Sequence, residues 1–275
     1  MKPVMKILSR NNVHSIGKGT RTLMLAHGFG CDQKMWRFLT PAFEADYRII
    51  LFDLVGSGGS DLAAYDHDKY SSLHGHAADV IEIIEQVGQS EIVFIGHSVS
   101  AMIGMLAAIR KPALFAGQVM ISPSPCYFND GDYVGGFNFE DVKAMLQLMQ
   151  DNLLAWSTQM APLIMGAPGR PDLQQELTER FCRNDPDIMR HFGRVAFLAD
   201  HRCDVPLSKT PTLIIQSSDD LIAPFEVGQH LHRHMHNSTF KVVDNVGHCP
   251  HMSAPGPSGQ HIKDFLARMA RPGRR

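Results

Sequence analysis

The sequence predicts an α/β fold in which a mostly parallel central sheet is flanked by helices and interrupted by a block of inserted helices. Two observations carry this. Short β-branched runs alternate with helical patterns through the first half and again near the end, the rhythm of strand–helix–strand crossovers. Between them, about 139 to 199 reads as helices without strands and is rich in methionine and aromatic residues, among them Met145, Trp156, Met160 and Phe197.

Each element follows from its local pattern. Strands are expected at Thr22–Ala26, Arg48–Phe52, Glu91–Ile95 and Gln118–Ile121. A helix over about His74–Val87 carries Ala77, Val80, Ile81, Ile84 and Val87 on one face, and a second from Val99 to about Arg110 is apolar nearly all round, as a helix buried against a sheet should be. Residues 122–138, SPSPCYFNDGDYVGGFN, are turn-rich. After the inserted helices the rhythm returns, with strands near Thr212–Gln216 and Phe240–Val243 and helices near Val227–His236 and Ser258–Met269.

A chain of 275 residues with 44% hydrophobic and 20% charged residues can bury a sizeable core. Its formal net charge of −2 gives no reason to expect nucleic acid or an anionic membrane as partner. The basic C-terminal residues Arg268, Arg271, Arg274 and Arg275 read as a solvated end. Five scattered cysteines without a C-x-x-C pair argue against a disulfide framework and a structural zinc site. The N-terminal MKPVMKILSRNN lacks the apolar region of a signal peptide, and no run is long enough to span a bilayer, so a cytoplasmic location is expected.

The stretch IVFIGHSVSAMIG, residues 92–104, places Ser98 between a strand and a helix in a G-x-S-x-G-like elbow whose last glycine is Ser100. Such a turn holds the serine oxygen clear of its neighbours, and the helix N-terminus behind it favours developing negative charge. A serine nucleophile needs a base, and the base needs an orienting carboxylate. IIQSSDDLIAP supplies Asp219 and Asp220 just past an apolar strand, and DNVGHCPHMS supplies His248 and His251 after the last strand. The spacing in DLIAP favours Asp220, with Asp219 a solvated turn residue; the glycine before His248 favours it, with His251 structural. The order Ser98, Asp220, His248 is that of a nucleophile-elbow hydrolase. Oxyanion donors would be the backbone N–H groups of Val99 and, in the early loop HGFG at 27–30, Phe29.

Two other patterns suggest different chemistry and fall short. In RIILFDLVGSGGSD, glycines 56, 58 and 59 follow a strand, but Asp61 stands where a dinucleotide fingerprint needs its third glycine. HLHRHMH at 230–236 spaces histidines by i, i+4, yet no glutamate completes an H-E-x-x-H motif, so a solvated helix is the reading. No cofactor and no metal are expected.

HGFGCDQKMW, FDLVGSGGSDLAAYD, GHSVSAMIGMLAAIRKP, SPSPCYFNDGDYVGGF, DDLIAP and GHCPHMSAP together resemble the α/β-hydrolase fold. Within it they resemble the RsbQ group of bacterial stress regulators and the related plant karrikin and strigolactone receptors, over about residues 5 to 268. The resemblance implies a four-helix lid at 124–205 over an enclosed apolar pocket, with residues 1–123 and 206–275 as the hydrolase core. It implies Ser98, Asp220 and His248 as a triad with Phe29 and Val99 as oxyanion donors. It also accounts for Ser100: the plant relatives carry serine at the matching place, RsbQ-like proteins usually glycine, whereas FDLVGSGGSD looks more like the bacterial branch.

Pocket candidates are Phe29, His97 and Val99 from the core and Tyr127, Phe137, Met145, Trp156, Met160 and Phe197 from the insertion, a set that suits a small, mostly apolar ligand. The expected activity is cofactor-free hydrolysis of a small hydrophobic ester or lactone through an acyl-enzyme. The alternative is an RsbQ-like or receptor-like signalling protein that binds or slowly hydrolyses such a ligand and engages a regulatory partner protein. Carbon–carbon bond hydrolysis and perhydrolysis suit the same scaffold; an aspartate nucleophile is excluded because residue 98 is serine.

Overall fold

Helices and strands follow one another along the computed structural model, which describes residues 7–270, in the order α1 (Ile7–Arg10), β1 (His14–Ile16), β2 (Arg21–Ala26), β3 (Tyr47–Phe52), α2 (Leu73–Gln86), β4 (Ile92–His97), α3 (Val99–Arg110), β5 (Phe115–Ile121), α4 (Phe139–Asp151), α5 (Leu153–Met165), α6 (Pro171–Arg183), α7 (Pro186–Phe197), β6 (Thr212–Asp219), α8 (Phe225–His234), β7 (Ser238–Val246), α9 (Pro250–Ser253) and α10 (Pro255–Ala270). Of the basic C-terminal residues, Arg271, Arg274 and Arg275 lie outside the described residues.

The seven strands form one sheet in the order β1-β3-β2-β4-β5-β6-β7, with every pairing parallel except the antiparallel β1–β3 edge. β4, IVFIGH, is buried at every residue, as a central strand covered on both faces must be. α3 follows directly and is buried from Val99 to Ala108, which is why its sequence shows no polar face. β1 is a surface edge strand of three residues, HSI, with two exposed. Its short polar sequence carries no period-2 signal.

Four helices, α4 to α7, stand between β5 and β6. Their ends are written locally. Asn152 caps α5 by accepting from the Ala155 N–H at 2.9 Å. Asp185 caps α7 by accepting from the Asp187 and Ile188 N–H groups, with Pro186 at the first helical position. Their buried faces join the same apolar core as the sheet, through Trp156, Phe181 and Phe192 among others. Among the described residues, no helix is long and apolar enough to cross a membrane.

Candidate active site

The elbow is tight for a local reason. Gly96 has no room for a side chain: a Cβ there would lie 2.4 Å from the Ser100 carbonyl oxygen. Ser98 takes φ 55° and ψ −123°, a conformation costly for a residue with a Cβ and typical of strained functional turns. Ser98 is buried at the first turn of α3. Val99 opens that helix, so its N–H belongs to the group left without an intrahelical acceptor.

Ser98 Oγ lies 2.8 Å from His248 Nε2, and His248 Nδ1 lies 2.8 Å from Asp220 Oδ2. Asp220 is fixed in turn, because its Oδ1 accepts from the Ile222 and Ala223 N–H groups at 2.9 and 3.1 Å. Asp219 ends β6 with its side chain exposed and takes no part; only its backbone carbonyl is used, accepting from the Gly247 N–H. The His248 N–H donates to the Ile164 carbonyl at the end of α5, and His97 Nε2 donates to the His248 carbonyl at 2.9 Å. His97 is kept neutral for that task. Burial, with His251 and His248 beside it, holds its imidazole well below the usual histidine range.

The HGFG segment forms a turn closed by the Cys31 N–H donating to the Gly28 carbonyl at 3.2 Å, with Gly30 at φ 66° in the third position, as a type II turn requires. Phe29 therefore occupies the second position, whose N–H such a turn leaves unused. His27 anchors the turn: its Nε2 accepts from the Leu54 N–H, which leaves Nδ1 to donate to the Gly28 carbonyl at 2.9 Å. Ser100, the residue that breaks the glycine pattern of the elbow, donates its hydroxyl to the His27 carbonyl at 2.5 Å. The departure therefore ties the elbow helix to the HGFG turn. Ser100→Ala should cost about 1–3 kcal/mol of stability, since it leaves a buried carbonyl unpaired; a denaturant titration measures it.

These groups face a small cavity of about 30 Å³ between the C-terminal ends of β2, β4 and β6 and the inserted helices. Of the expected pocket residues, Phe29, His97, Val99, Tyr127 and Phe197 line it. Phe137, Met145, Trp156 and Met160 do not. Trp156 stands behind the wall, with its ring edge-on to Phe29 at 6.0 Å between centroids. Phe137 lies outside it, its N–H on the Tyr127 carbonyl at 3.1 Å, and Met145 and Met160 pack into the apolar core. Cys31, Ile164, Leu177, Phe181, Ile222 and Cys249 complete much of the lining. Cys31 and Cys249 adjoin the HGFG and GH signals and could have been read from them; the others could not. Tyr127 OH lies 3.1 Å from Ser98 Oγ. Burial pushes its phenol up to about 12, so it stays protonated at neutral pH.

The glycine-rich loop after β3 wraps a buried carboxylate. Asp53 accepts from the Gln33 and Gly59 N–H groups at 2.8 Å each and from Asn12 Nδ2 at 2.7 Å. This loop and the end of α6 border a polar cleft of about 450 Å³ on the outer side of the HGFG turn. On α8, His230 and His234 stack at 4.2 Å, and His234 Nδ1 bonds to the His230 carbonyl at 2.8 Å. Among the described residues, no three histidine, cysteine or acidic side chains converge as a metal site.

A largely parallel sheet, a strained serine at a strand-to-helix turn and a four-helix insertion after β5 define the α/β-hydrolase fold. Residues 23–257 match the model of the alpha/beta hydrolase family, and the chain belongs to that family and is a hydrolase. It is 39% identical to the karrikin insensitive 2 receptor CA of Petunia hybrida over 246 residues, covering 89% of this chain and 91% of that one. It is 36% identical to the strigolactone esterase D14 of Arabidopsis thaliana over 263 residues, covering 95% and 98%. Among solved structures, a hydrolase from Oleispira antarctica superposes with a TM-score of 0.93 at 40% identity, covering 95% of this chain and 96% of that one.

Proposed function

We propose that the protein is a serine hydrolase that cleaves a small hydrophobic ester or lactone. The observation that carries this is the linear relay Ser98 Oγ–His248 Nε2, His248 Nδ1–Asp220, each link 2.8 Å, facing an apolar cavity. His248 Nε2 takes the Ser98 proton as Oγ attacks the carbonyl carbon. The tetrahedral oxyanion forms between the N–H groups of Phe29 and Val99, each such donor contributing about 10²–10³ in rate. The intermediate collapses, the His248 proton passes to the leaving alkoxide, and Ser98 carries the acyl group. His248 then deprotonates a water, which releases the acid and restores Ser98. Asp220, with Oδ1 tied to two backbone N–H groups, holds His248 in the tautomer that presents Nε2 to Ser98.

The relatives support the substrate class: one is named a strigolactone esterase, and the Petunia relative is named a receptor. The test is acid-quenched intact-mass analysis after mixing with p-nitrophenyl butyrate. The expected result is a single butyryl adduct mapping to Ser98; turnover with the adduct on another residue, or no turnover of any short ester or lactone, defeats the reading.

A second reading draws on the small size of the cavity at the serine, about 30 Å³. Helices α4–α7, within residues 124–205, act as a lid on the core formed by 1–123 and 206–275, and ligand-driven rearrangement of that lid presents a surface to a regulatory protein. Slow turnover coupled to a ligand-dependent thermal shift and partner capture distinguishes this role from that of a metabolic esterase.

A further inference from the structure

The turn that carries the Phe29 N–H is held from two sides. On the core side, the His27 ring and the Ser100 hydroxyl fix its beginning. Its far end is held from the insertion. Asn184, directly after α6, donates from Nδ2 to the Gly30 carbonyl at 2.8 Å, and the same nitrogen reaches the Arg180 carbonyl at 2.9 Å. One turn earlier on α6, the Arg180 guanidinium pairs with Asp32, two residues past Gly30, and with Glu176, which in turn pairs with Arg37 of the core. The Phe29 ring is itself enclosed by insertion rings, at 6.0 Å from Trp156, 6.3 Å from Phe181, 5.5 Å from Phe192 and 5.5 Å from Phe197.

Outside the turn lies open space. Gly30, Asp32, Arg180 and Asn184 border the cleft of about 450 Å³. Gly30 at φ 66° packs directly against the inserted helices, where a Cβ would lie 2.6 Å from the Phe181 ring and 2.7 Å from Met189 Cε. The Gly30–Cys31 peptide that ends the turn is thus held on both sides, by its Cys31 N–H on the Gly28 carbonyl within the turn and by the Asn184 amide on its Gly30 carbonyl from the insertion.

We propose that Asn184 is a positioning residue for acyl transfer, aligning the oxyanion turn so that the Phe29 donor is in place only while helix α6 is seated on the core. This rests on the serine-hydrolase reading above. Seating the helix then does two things at once: it closes the cavity and completes the oxyanion site. An ester bound with α6 displaced meets Ser98 and His248 but a loosened donor.

The test uses Asn184→Ala and the isosteric Asn184→Asp, which keeps the shape and removes the N–H donor. With p-nitrophenyl butyrate, both should lower kcat by about 10–100-fold with KM within about twofold, the signature of an interaction made only in the transition state. Affinity for an alkyl trifluoromethyl ketone, whose adduct carries the oxyanion, should fall by the same factor. Amide exchange of residues 28–31 should accelerate in both variants. Arg37→Ala, which cuts the Glu176 pair at the same seam without touching the turn, should leave kcat unchanged. An unchanged kcat, a loss carried by KM, full activity in Asn184→Asp, or unaltered exchange of the turn would overturn the proposal. If the wild-type protein shows no Ser98-dependent turnover, the hydrolase reading fails on its own, and the exchange measurement still decides whether Asn184 holds the turn.

Discussion

If Ser98 is the nucleophile proposed above, Ser98→Ala should lower kcat on a short aryl ester by about 10⁴ or more and leave the melting temperature close to that of the wild type. The loss is large because the nucleophile has no substitute: Tyr127, the other hydroxyl within reach, is held protonated by burial and lies 3.1 Å from Ser98 Oγ. The fold is little affected because one oxygen is removed and the neighbours keep their other bonds, His248 to Asp220 among them. Ser98→Gly supplies a sharper control. At φ 55°, relief of backbone strain should raise stability by about 1 kcal/mol while activity is lost equally. A Ser98→Ala protein retaining a hundredth of wild-type activity removes Ser98 as the nucleophile.

Acid should destabilise the protein from about pH 6.5 downward, before its carboxylates titrate. His76 and His251 are fully buried, and desolvation pushes both imidazoles down to about 3, with His97 also well below its ordinary value. In the unfolded chain each returns to about 6.5. Above pH 6.5 both states are neutral and these rings add no pH dependence. As pH falls below 6.5, the unfolded chain takes up protons that the folded one refuses, so stability declines toward about pH 3. The slope approaches about 1.4 kcal/mol per pH unit for each ring, or about 2 kcal/mol each at pH 5. Against a total of about 5–15 kcal/mol, His76 and His251 are together a large share, and His97 acts in the same direction. Denaturant midpoints at pH 7, 6 and 5 measure the decline. His76→Phe should flatten the slope by one proton: the ring stacks on Tyr70 at 4.5 Å and packs against Phe192 at 4.8 Å, and among the described residues neither of its nitrogens has a hydrogen-bond partner. An unchanged slope in that variant assigns the acid sensitivity elsewhere.

What the sequence reveals and what it conceals divide along physical lines. Ser98, Asp220 and His248 are legible because each lies just past a strand, and β4 and β6 declare themselves by the apolar runs IVFI and LII. The HGFG turn is legible because glycines write its backbone. β1 is not, being three polar-flanked residues at a sheet edge. The cavity lining is only half legible. An inserted helix packed between apolar neighbours has two greasy faces, and Trp156 and Ile164 on the same α5 are indistinguishable by composition although only Ile164 reaches the cavity. His97, next to Ser98 in sequence, lines the cavity as expected, but its Nε2 bond to the His248 carbonyl follows from no motif. The contact between Asn184 and Gly30 joins residues 154 apart and follows from no motif.

The cavity of about 30 Å³ has a kinetic consequence. It has room for about two water molecules, so on the lid reading proposed above an ester is captured through a more open form of the protein. Apparent affinity is then the intrinsic affinity divided by the open fraction, and the association rate levels off at the opening rate as ligand concentration rises. Measured on this protein, that plateau would time the proposed lid motion directly, and a rate rising linearly with ligand would remove it.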